Sequence, residues 1–383
     1  MIVSGDWLTR PSTQAVCKML EGGGHQALLV GGCVRNALLG VPVSDIDISS
    51  DARPGRVMAL AKDAGLKAIP TGIDHGTITV VADGIPHEIT TFRKDVETDG
   101  RRAVVAFSDT VEDDAHRRDF TMNALYVRSD GTLVDPLGGL VDLKARRFRF
   151  IDDAGQRIRE DYLRILRYFR FHAWYGDPDA GIDADALSAI AENADGLTRL
   201  SKERVGSEML KLLAAPNPAP SIAAMRQCGA LLPVLNGADD RALAPLVHLE
   251  EQLGQAPNAL RRLAALGGAN VSEALRLSKK QAVDFQVLRD EIGATTPPGE
   301  LGYRLGAERA VSVVLLRAAM LEMPLNATDA TAAIAGAAAQ FPVTAKDLID
   351  QFQGPALGAK LKALEKAWIA SHFELTKEQL LAL

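Results

Sequence analysis

Up to about residue 140 the chain is written in short runs of β type, and beyond Val141 these give way to long alanine- and leucine-rich segments. Ala27–Val30 is an apolar run, Asp45–Ser49 alternates polar and apolar positions, and GTITVVADGIPHEITTF reads as two strands joined around Asp83 and Gly84. Helices fit between these strands. The later part is broken by AAPNPAP, QAPNA and ATTPPGE, and its pattern predicts a helical array. It carries no fixed repeat, and the alanine-rich TAAIAGAAAQF reads as packed helix rather than low-complexity chain. The pattern as a whole predicts an α+β molecule in which a small mixed sheet comes first and helices follow.

A length of 383 residues exceeds one ordinary hydrophobic core, so two or more domains are expected. With 47% hydrophobic and 24% charged residues the balance is that of a globular protein, and no apolar run nears the roughly 20 residues of a membrane helix. The opening MIVSGDWLTRPSTQ has neither a basic stretch nor an apolar one ahead of a cleavage site, which predicts a cytoplasmic protein with no membrane partner. Cys17, Cys33 and Cys228 are odd in number and far apart, which argues for small core residues and against a disulfide framework or a cysteine zinc site. The net charge of −6 speaks against bulk attraction to nucleic acid but leaves room for a local basic stripe. From Asp142 to Arg170 there are nine Lys or Arg against five Asp or Glu, a surplus of four that forms such a stripe.

The densest chemistry lies in LVGGCVRNALLGVPVSDIDIS, from Leu29 to Ser49. Strand side chains alternate faces, so Asp45 and Asp47 share one face while Ile46 and Ile48 turn to the core. Like charges about 7 Å apart along a strand repel unless a cation lies between them, and hard oxygen donors of this kind suit Mg²⁺. The paired glycines follow an apolar strand and precede the amphipathic CVRNALLG, a strand, turn and helix that presents backbone N–H groups to a phosphate. Arg35, one turn into that helix, adds a forked cation to the same phosphates. Singly, a Gly-Gly pair is a turn and a D-x-D is a solvated strand edge; together they point to a nucleotide.

Two further stretches carry concentrated charge. RRDFTMNALY, Arg117 to Tyr126, sets two arginines beside an aspartate with an asparagine four residues on, and helical spacing puts Asp119 and Asn123 on one face. The plain alternative is a surface Arg–Asp pair capping a helix. REDYLRILRYFRF, Arg159 to Phe171, is helical by period. At about 100° per residue, Glu160, Arg164 and Arg167 fall on one face with Asp161 and Arg170 at its margins, and Ile165, Leu166 and Phe169 fall on the other. Glu88 sits on HEITTF, a strand expected beside the D-x-D strand, where it is either a third acidic group or a partner for Arg93. The stretch TTFRKDVETDGRRAVVAFSDTVEDDAHRRD reads as a polar, mobile loop region. LSKERVGSEMLKLL reads as a helix with Ser201 at its N-cap, and the seven histidines show no metal-ligand spacing.

GG-x-x-R, nine residues, then D-x-D, followed by RRDFTMNALY and E-D-x-x-R-x-x-R, resembles the signatures of the polymerase-β-type nucleotidyltransferases, in the class that includes bacterial tRNA CCA-adding enzymes and poly(A) polymerases. The likeness is strong over about Leu28 to Phe171 and general beyond it. It implies a nucleotidyltransferase head over residues 1–140 and a helical neck over 141–216, which selects the base. A helical body and tail over 217–383 would hold the tRNA acceptor arm. By the same likeness Asp45 and Asp47 hold the catalytic metals, Gly32, Arg35 and Arg118 contact the incoming nucleotide, and Asp119 and Asn123 recognise its ribose. Asp161 and Arg164 serve as a protein template, with Arg167 and Arg170 as further nucleotide contacts. The polar loop resembles the family's flexible loop linked to adenine addition. Tyr162 and Tyr168 stand where smaller residues are expected, which puts the packing of that helix in question.

The implied activity is template-independent completion of the 3′-terminal CCA of tRNA from CTP and ATP, with Mg²⁺ as cofactor, a two-metal mechanism, pyrophosphate as product and no obligate protein partner evident. A carboxylate only accepts hydrogen bonds and a guanidinium only donates them. Asp161 and Arg164 therefore match the amino donor and ring-nitrogen acceptor that cytosine and adenine share, and mismatch the carbonyl and N–H of uracil and guanine. Poly(A) polymerase, a partial enzyme adding only CC or only A, and a noncatalytic tRNA-binding protein are the rival readings.

Overall fold

The structure, a computed structural model, describes residues 1–99, 102–177 and 179–383. Its strands are β1 (Leu28–Val30), β2 (Asp47–Ser50), β3 (Lys67–Gly72), β4 (Thr77–Ala82), β5 (Ile85–Thr91), β6 (Arg93–Asp99), β7 (Arg102–Phe107), β8 (Tyr126–Arg128) and β9 (Leu133–Val134). Around and between them run α1 (Asp6–Thr9), α2 (Pro11–Gly22), α3 (Gly32–Leu39), α4 (Pro54–Asp63), α5 (Val111–His116) and α6 (Gly139–Lys144). Helices alone follow: α7 (Ala154–Glu160), α8 (Leu163–Tyr175), α9 (Ala184–Asn193), α10 (Lys202–Leu213), α11 (Ala219–Gln227), α12 (Leu243–Gln252) and α13 (Ala259–Leu266). The last are α14 (Val271–Ala274), α15 (Lys279–Ile292), α16 (Pro298–Leu305), α17 (Ala307–Met320), α18 (Ala327–Ala338), α19 (Pro355–Ala370) and α20 (Lys377–Leu381). The α+β expectation, a mixed sheet followed by helices, describes this order.

The chain divides into two compact units, residues 1–208 with 220–234, and residues 209–219 with 235–383. In the first, seven strands form one mixed sheet in the order β3-β4-β5-β2-β1-β8-β9. All its pairs are antiparallel except β2 with β5, which run parallel. The β4–β5 turn is short because Asp83 and Gly84 both take positive φ, 50° and 76°, as a two-residue hairpin turn of this hand requires. One side of the sheet is sealed by Leu28, Val30, Phe92, Ala115, Ala124, Tyr126 and Ile151. The stretch expected to be a loop is largely a second, two-stranded sheet of β6 and β7, followed by α5. Its charged half, RKDVETD, reads as loop by composition, but it pairs with the apolar RAVVAF, and Gly100 and Arg101 within the stretch lie outside the described residues.

The second unit is helical. Val343, Leu348, Leu364, Trp368, Ile369 and Leu380 form one of its cores. Helices α16 and α18 cross almost backbone to backbone, since a Cβ on Gly302 would fall 1.9 Å from the Ala333 carbonyl oxygen and one on Gly336 2.0 Å from that of Gly299. Buried among α12, α13 and α17, Glu250 accepts from Arg261 Nε at 2.6 Å and from Arg262 Nε at 2.9 Å, and both arginines are themselves buried. Arg262 also donates to the carbonyls of Leu213, Ala215 and Pro216, at the end of α10. Among the described residues no helix is long and apolar enough to cross a membrane.

One buried carboxylate here is the shared counterion of two buried guanidiniums. Glu250→Ala strands both, and its unfolding free energy in urea is expected to fall by about 3–5 kcal/mol.

Candidate active site

The first group of candidate residues gathers where β1 runs into α3. Registers place Tyr126, Val30, Asp47, Glu88 and Thr79 in one row across β8, β1, β2, β5 and β4, so Asp47 and Glu88 stand side by side on one face. Asp45 lies two residues ahead of Asp47, just outside the ladder and exposed, while Ile46 and Ile48 are buried, as the alternation predicts. Burial and the neighbouring Glu88 push the Asp47 carboxyl up to about 6, with Asp45 adding to the rise and Arg118 opposing it.

Among the described residues no three His, Cys, Asp or Glu side chains close into a metal cage. The donor set still fits Mg²⁺, which keeps several waters and binds through one or two carboxylates plus substrate phosphates. The repulsion that lifts Asp47 is one that a divalent cation relieves.

Gly31 leaves β1 at φ 75° and ψ −123°, a backbone that favours glycine, and stands at the N-cap of α3. A Cβ on Gly31 would lie 3.7 Å from Arg118 Nη1, and one on Gly32 3.9 Å from Arg35 Nη2. The glycines thus bring bare backbone up to two guanidiniums, of which Arg118 acts on Asp47. In the same turn Cys33 is buried with its S–H toward the Val30 carbonyl at 3.3 Å, and burial pushes its thiol up to about 11. Cys17 is likewise buried, whereas Cys228 is only partly so.

Arg118 is held by a residue that the sequence reading passed over. Asp114, fully buried, accepts from Arg118 Nη2 at 2.9 Å, Tyr126 OH at 2.9 Å, Ser49 Oγ at 3.1 Å and Arg117 Nε at 2.7 Å. Burial alone would raise this carboxyl, but Arg118 and Arg117 outweigh it and hold it well below the usual carboxylate range. Arg118 also donates to Tyr126 OH at 3.0 Å and to Ser49 Oγ at 3.1 Å, two residues on from Asp47. The signal was present in DDAHRRD: Asp114 precedes the arginines by three and four residues, the spacing of one helical turn.

RRDFTMNALY is not a helix. After α5 ends at His116 the chain bends, and Thr121–Asn123 form a single 3₁₀ turn. Phe120 is drawn out to bridge Phe150 and to pack among Phe148, Phe150, Tyr168 and Phe171, and that placement interrupts the helix. Asp119 and Asn123 nonetheless meet, Nδ2 donating to Oδ1 at 2.9 Å.

The third stretch is two helices rather than one. Asp161, at φ −152° and ψ 104°, ends α7, and its Oδ1 accepts from the Leu163 N–H at 3.1 Å where α8 begins. Its Oδ2 accepts from Arg204 Nη2 at 2.6 Å, a partner hidden in the SKERV segment. Arg164 donates to Glu160 at 2.6 Å and to the carbonyls of Arg157 and Arg117 at 2.7 and 3.2 Å. Arg167 grips Asp119 with two bonds of 2.8 and 2.6 Å, and Arg170 meets Glu208 at 2.6 Å. With Arg147 and Arg149 both on Asp142, much of the basic stripe is neutralised internally. The two unexpected tyrosines pack well. Tyr168 stacks on Phe150 at 5.4 Å, and Tyr162 lies where only Gly196 leaves room, since a Cβ there would come within 1.9 Å of the ring.

Arg35 sits on α3 at 6% exposure, donating to Asn123 Oδ1 at 2.7 Å and to Tyr175 OH at 3.2 Å at the far end of α8. The structure therefore ties the first stretch to the second through Arg118 and Arg35, and the second to the third through Asp119 and Arg167. Asp161 and Arg164 occupy the opposite end of α8 from Arg35. A separate cavity of about 750 Å³, lined by Gly155, Arg159, Ser188 and Glu192, includes none of these candidates.

Comparison with known proteins bears on this arrangement. A family model described as the poly A polymerase head domain matches residues 27–149, and one described as a probable RNA and SrmB- binding site of polymerase A matches residues 181–241. The CCA-adding enzyme of Geobacillus stearothermophilus is 32% identical, over 96% of this chain and 94% of that one. The chain belongs to the family of CCA-adding enzymes. The mitochondrial CCA tRNA nucleotidyltransferase 1 of Homo sapiens is 46% identical over 49% of this chain and 44% of its own. The chain thus spans about half the length of that and of several other curated relatives it matches. Among solved structures, the CCA-adding enzyme of Bacillus stearothermophilus in complex with CTP covers 96% of this chain and 94% of its own, with 29% identity and a TM-score of 0.71.

Asp114 stabilises the fold only while ionised. Its folded-state pKa is depressed, so its contribution is complete above the unfolded value of about 4 and is lost as pH falls through the lower folded value. Asp114→Asn is expected to lower the urea midpoint clearly at pH 7, and the gap to the native protein is expected to narrow at pH 3.

Proposed function

We propose that the protein completes the 3′-terminal CCA of tRNA, taking CTP and ATP as substrates and releasing pyrophosphate. The observation that carries this reading is the side-by-side placement of Asp47 and Glu88 next to the Gly31–Gly32 turn, under Arg118. Backbone N–H groups at the start of α3, with Arg35 and Arg118, receive the triphosphate. Asp119 and Asn123 meet the ribose. The primer 3′-hydroxyl attacks the α-phosphorus in line, its new P–O bond forming as the bond to the pyrophosphate oxygen breaks, and the hydroxyl proton passes to solvent or a nearby carboxylate. Asp45 and Asp47, with Glu88 beside them, would hold Mg²⁺, which would lower the hydroxyl pKa and neutralise charge on the phosphate oxygens. The chain's own part is positioning and preorganised positive charge.

Base choice falls to Asp161 and Arg164. Arg164 gives three of its five N–H groups to Glu160 and to the Arg157 and Arg117 carbonyls, which leaves two for a ring-nitrogen acceptor. The Asp161 carboxylate bonds Arg204 and the Leu163 N–H and retains lone pairs for an exocyclic amino group. Arg167 and Arg170, each paired with a carboxylate, brace the same helix against Asp119 and Glu208. In this reading residues 1–140 act as the head, 141–216 as the neck, and 217–383 as body and tail holding the acceptor arm, with the reaction in the cytoplasm.

The test is incubation with Mg²⁺ and tRNA transcripts ending before CCA, after CC, or complete, with products resolved at single-nucleotide length. Three additions with CTP and ATP together, one A after CC, and then a stop are expected. A long tail with ATP alone makes the protein a poly(A) polymerase, and no extension favours a noncatalytic tRNA-binding role. Asp45→Ala and Asp47→Ala are each expected to abolish incorporation while leaving tRNA binding, read by gel shift, within about twofold. Asp161→Ala is expected to weaken discrimination against UTP by about 10- to 100-fold in kcat/KM, the range of one unpaired hydrogen-bonding group.

A further inference from the structure

We infer that Tyr175 is a positioning residue for Arg35, holding that guanidinium by its hydroxyl and ring face so that the charge stays available to the nucleotide's phosphates. The inference rests on the proposed function for the identity of the ligand. Most buried arginines of this protein have a bonded carboxylate: Arg261 and Arg262 have Glu250, and Arg157 has Glu160. Arg35 is different. Its hydrogen-bond partners are neutral, Asn123 Oδ1 at 2.7 Å, Asn36 Oδ1 at 3.0 Å and Tyr175 OH at 3.2 Å. Its Nε is buried and without a partner.

What stands in place of a counterion is aromatic. The Arg35 guanidinium carbon lies 4.4 Å from the Tyr175 ring centre and 4.9 Å from that of Phe171, and the two rings are 6.1 Å apart. Ring faces attract a cation through their quadrupole but do not cancel its charge. Phe171, itself buried, also lies under Arg167 at 5.1 Å and Arg170 at 4.3 Å, so three guanidiniums surround one ring. Arg167 and Arg170 are charge-balanced by Asp119 and Glu208, which leaves Arg35 as the member whose charge is not met by a bonded carboxylate. A buried cation in that condition is costly on its own and is offset when an anion arrives. Arg35 Nη2 lies 3.9 Å from the Gly32 Cβ position, at the start of α3, where a helix N-terminus offers backbone N–H groups to a phosphate. Tyr175 OH accepts from Nη2, the nitrogen nearest that turn, and so fixes the plane in which the guanidinium presents its donors.

The test compares Tyr175→Leu, which removes hydroxyl and ring face, with Tyr175→Phe, which removes the hydroxyl alone. In single-nucleotide extension, Tyr175→Leu is expected to raise KM for CTP and for ATP about tenfold, with KM for the tRNA unchanged within twofold. Tyr175→Phe is expected to recover most of the loss. Calorimetric titration with Mg²⁺–CTP and with inorganic triphosphate, without primer, is expected to show equal weakening for both ligands in Tyr175→Leu. A lower melting temperature with unchanged KM and unchanged triphosphate affinity overturns the inference and makes Tyr175 structural only. Weakened CTP binding with unchanged triphosphate binding overturns it too, by placing Tyr175 at the base. If the native protein extends no primer, the proposed function falls, and the triphosphate titration still decides the role of Tyr175.

Discussion

The site depends on a carboxylate held out of reach of water. Asp114 sits fully buried at the end of α5, and its two oxygens satisfy Arg117, Arg118, Tyr126 and Ser49 together. An ionised carboxylate in that position is unfavourable unless its partners are complete, so the fold commits both arginines and a strand residue to it at once. Arg118 is thereby fixed between β8 and β2, close enough to act on the Asp47 carboxyl. The geometry around the paired aspartates follows from this anchor, because Ser49 belongs to the same strand as Asp47 and shares its face.

The same economy governs the cations farther along. Helices α8 and α10 carry more arginine than the protein's net charge suggests, yet most of these side chains are already paired: Arg164 with Glu160, Arg167 with Asp119, Arg170 with Glu208 and Arg204 with Asp161. Counting charges along the sequence therefore overstates the positive field at the surface. The pairs instead act as struts, and Arg167 in particular joins α8 to the segment carrying Asp119 and Asn123. Arg35 departs from this rule, held by neutral groups and ring faces.

Legibility of the sequence varied with the range of the interaction. The β4–β5 hairpin was readable because Asp83-Gly84 dictates its own turn, and the shared face of Asp45 and Asp47 because alternation is local. Glu88 beside Asp47 follows from strand neighbourhood, and the parallel register delivers it. The continuous helix expected through Arg159–Phe171 failed at Asp161, since its side chain caps the next helix and bonds Arg204, 43 residues away. The charge-dense stretch before α5 is a strand pair because RKDVETD finds an antiparallel partner in RAVVAF, from Arg93 opposite Phe107 to Asp99 opposite Arg102. RRDFTMNALY lost its helix to Phe120, whose aromatic partners come from a later part of the chain. In each case the missing information was a tertiary contact.

Cys33 directly follows the two glycines at the start of α3. Its sulfur is buried against the Val30 carbonyl, and burial pushes the thiol up to about 11. At neutral pH almost none of it is thiolate, the form that oxidants and electrophiles attack. The sulfur beside the paired glycines is therefore kept both buried and protonated by the fold around it.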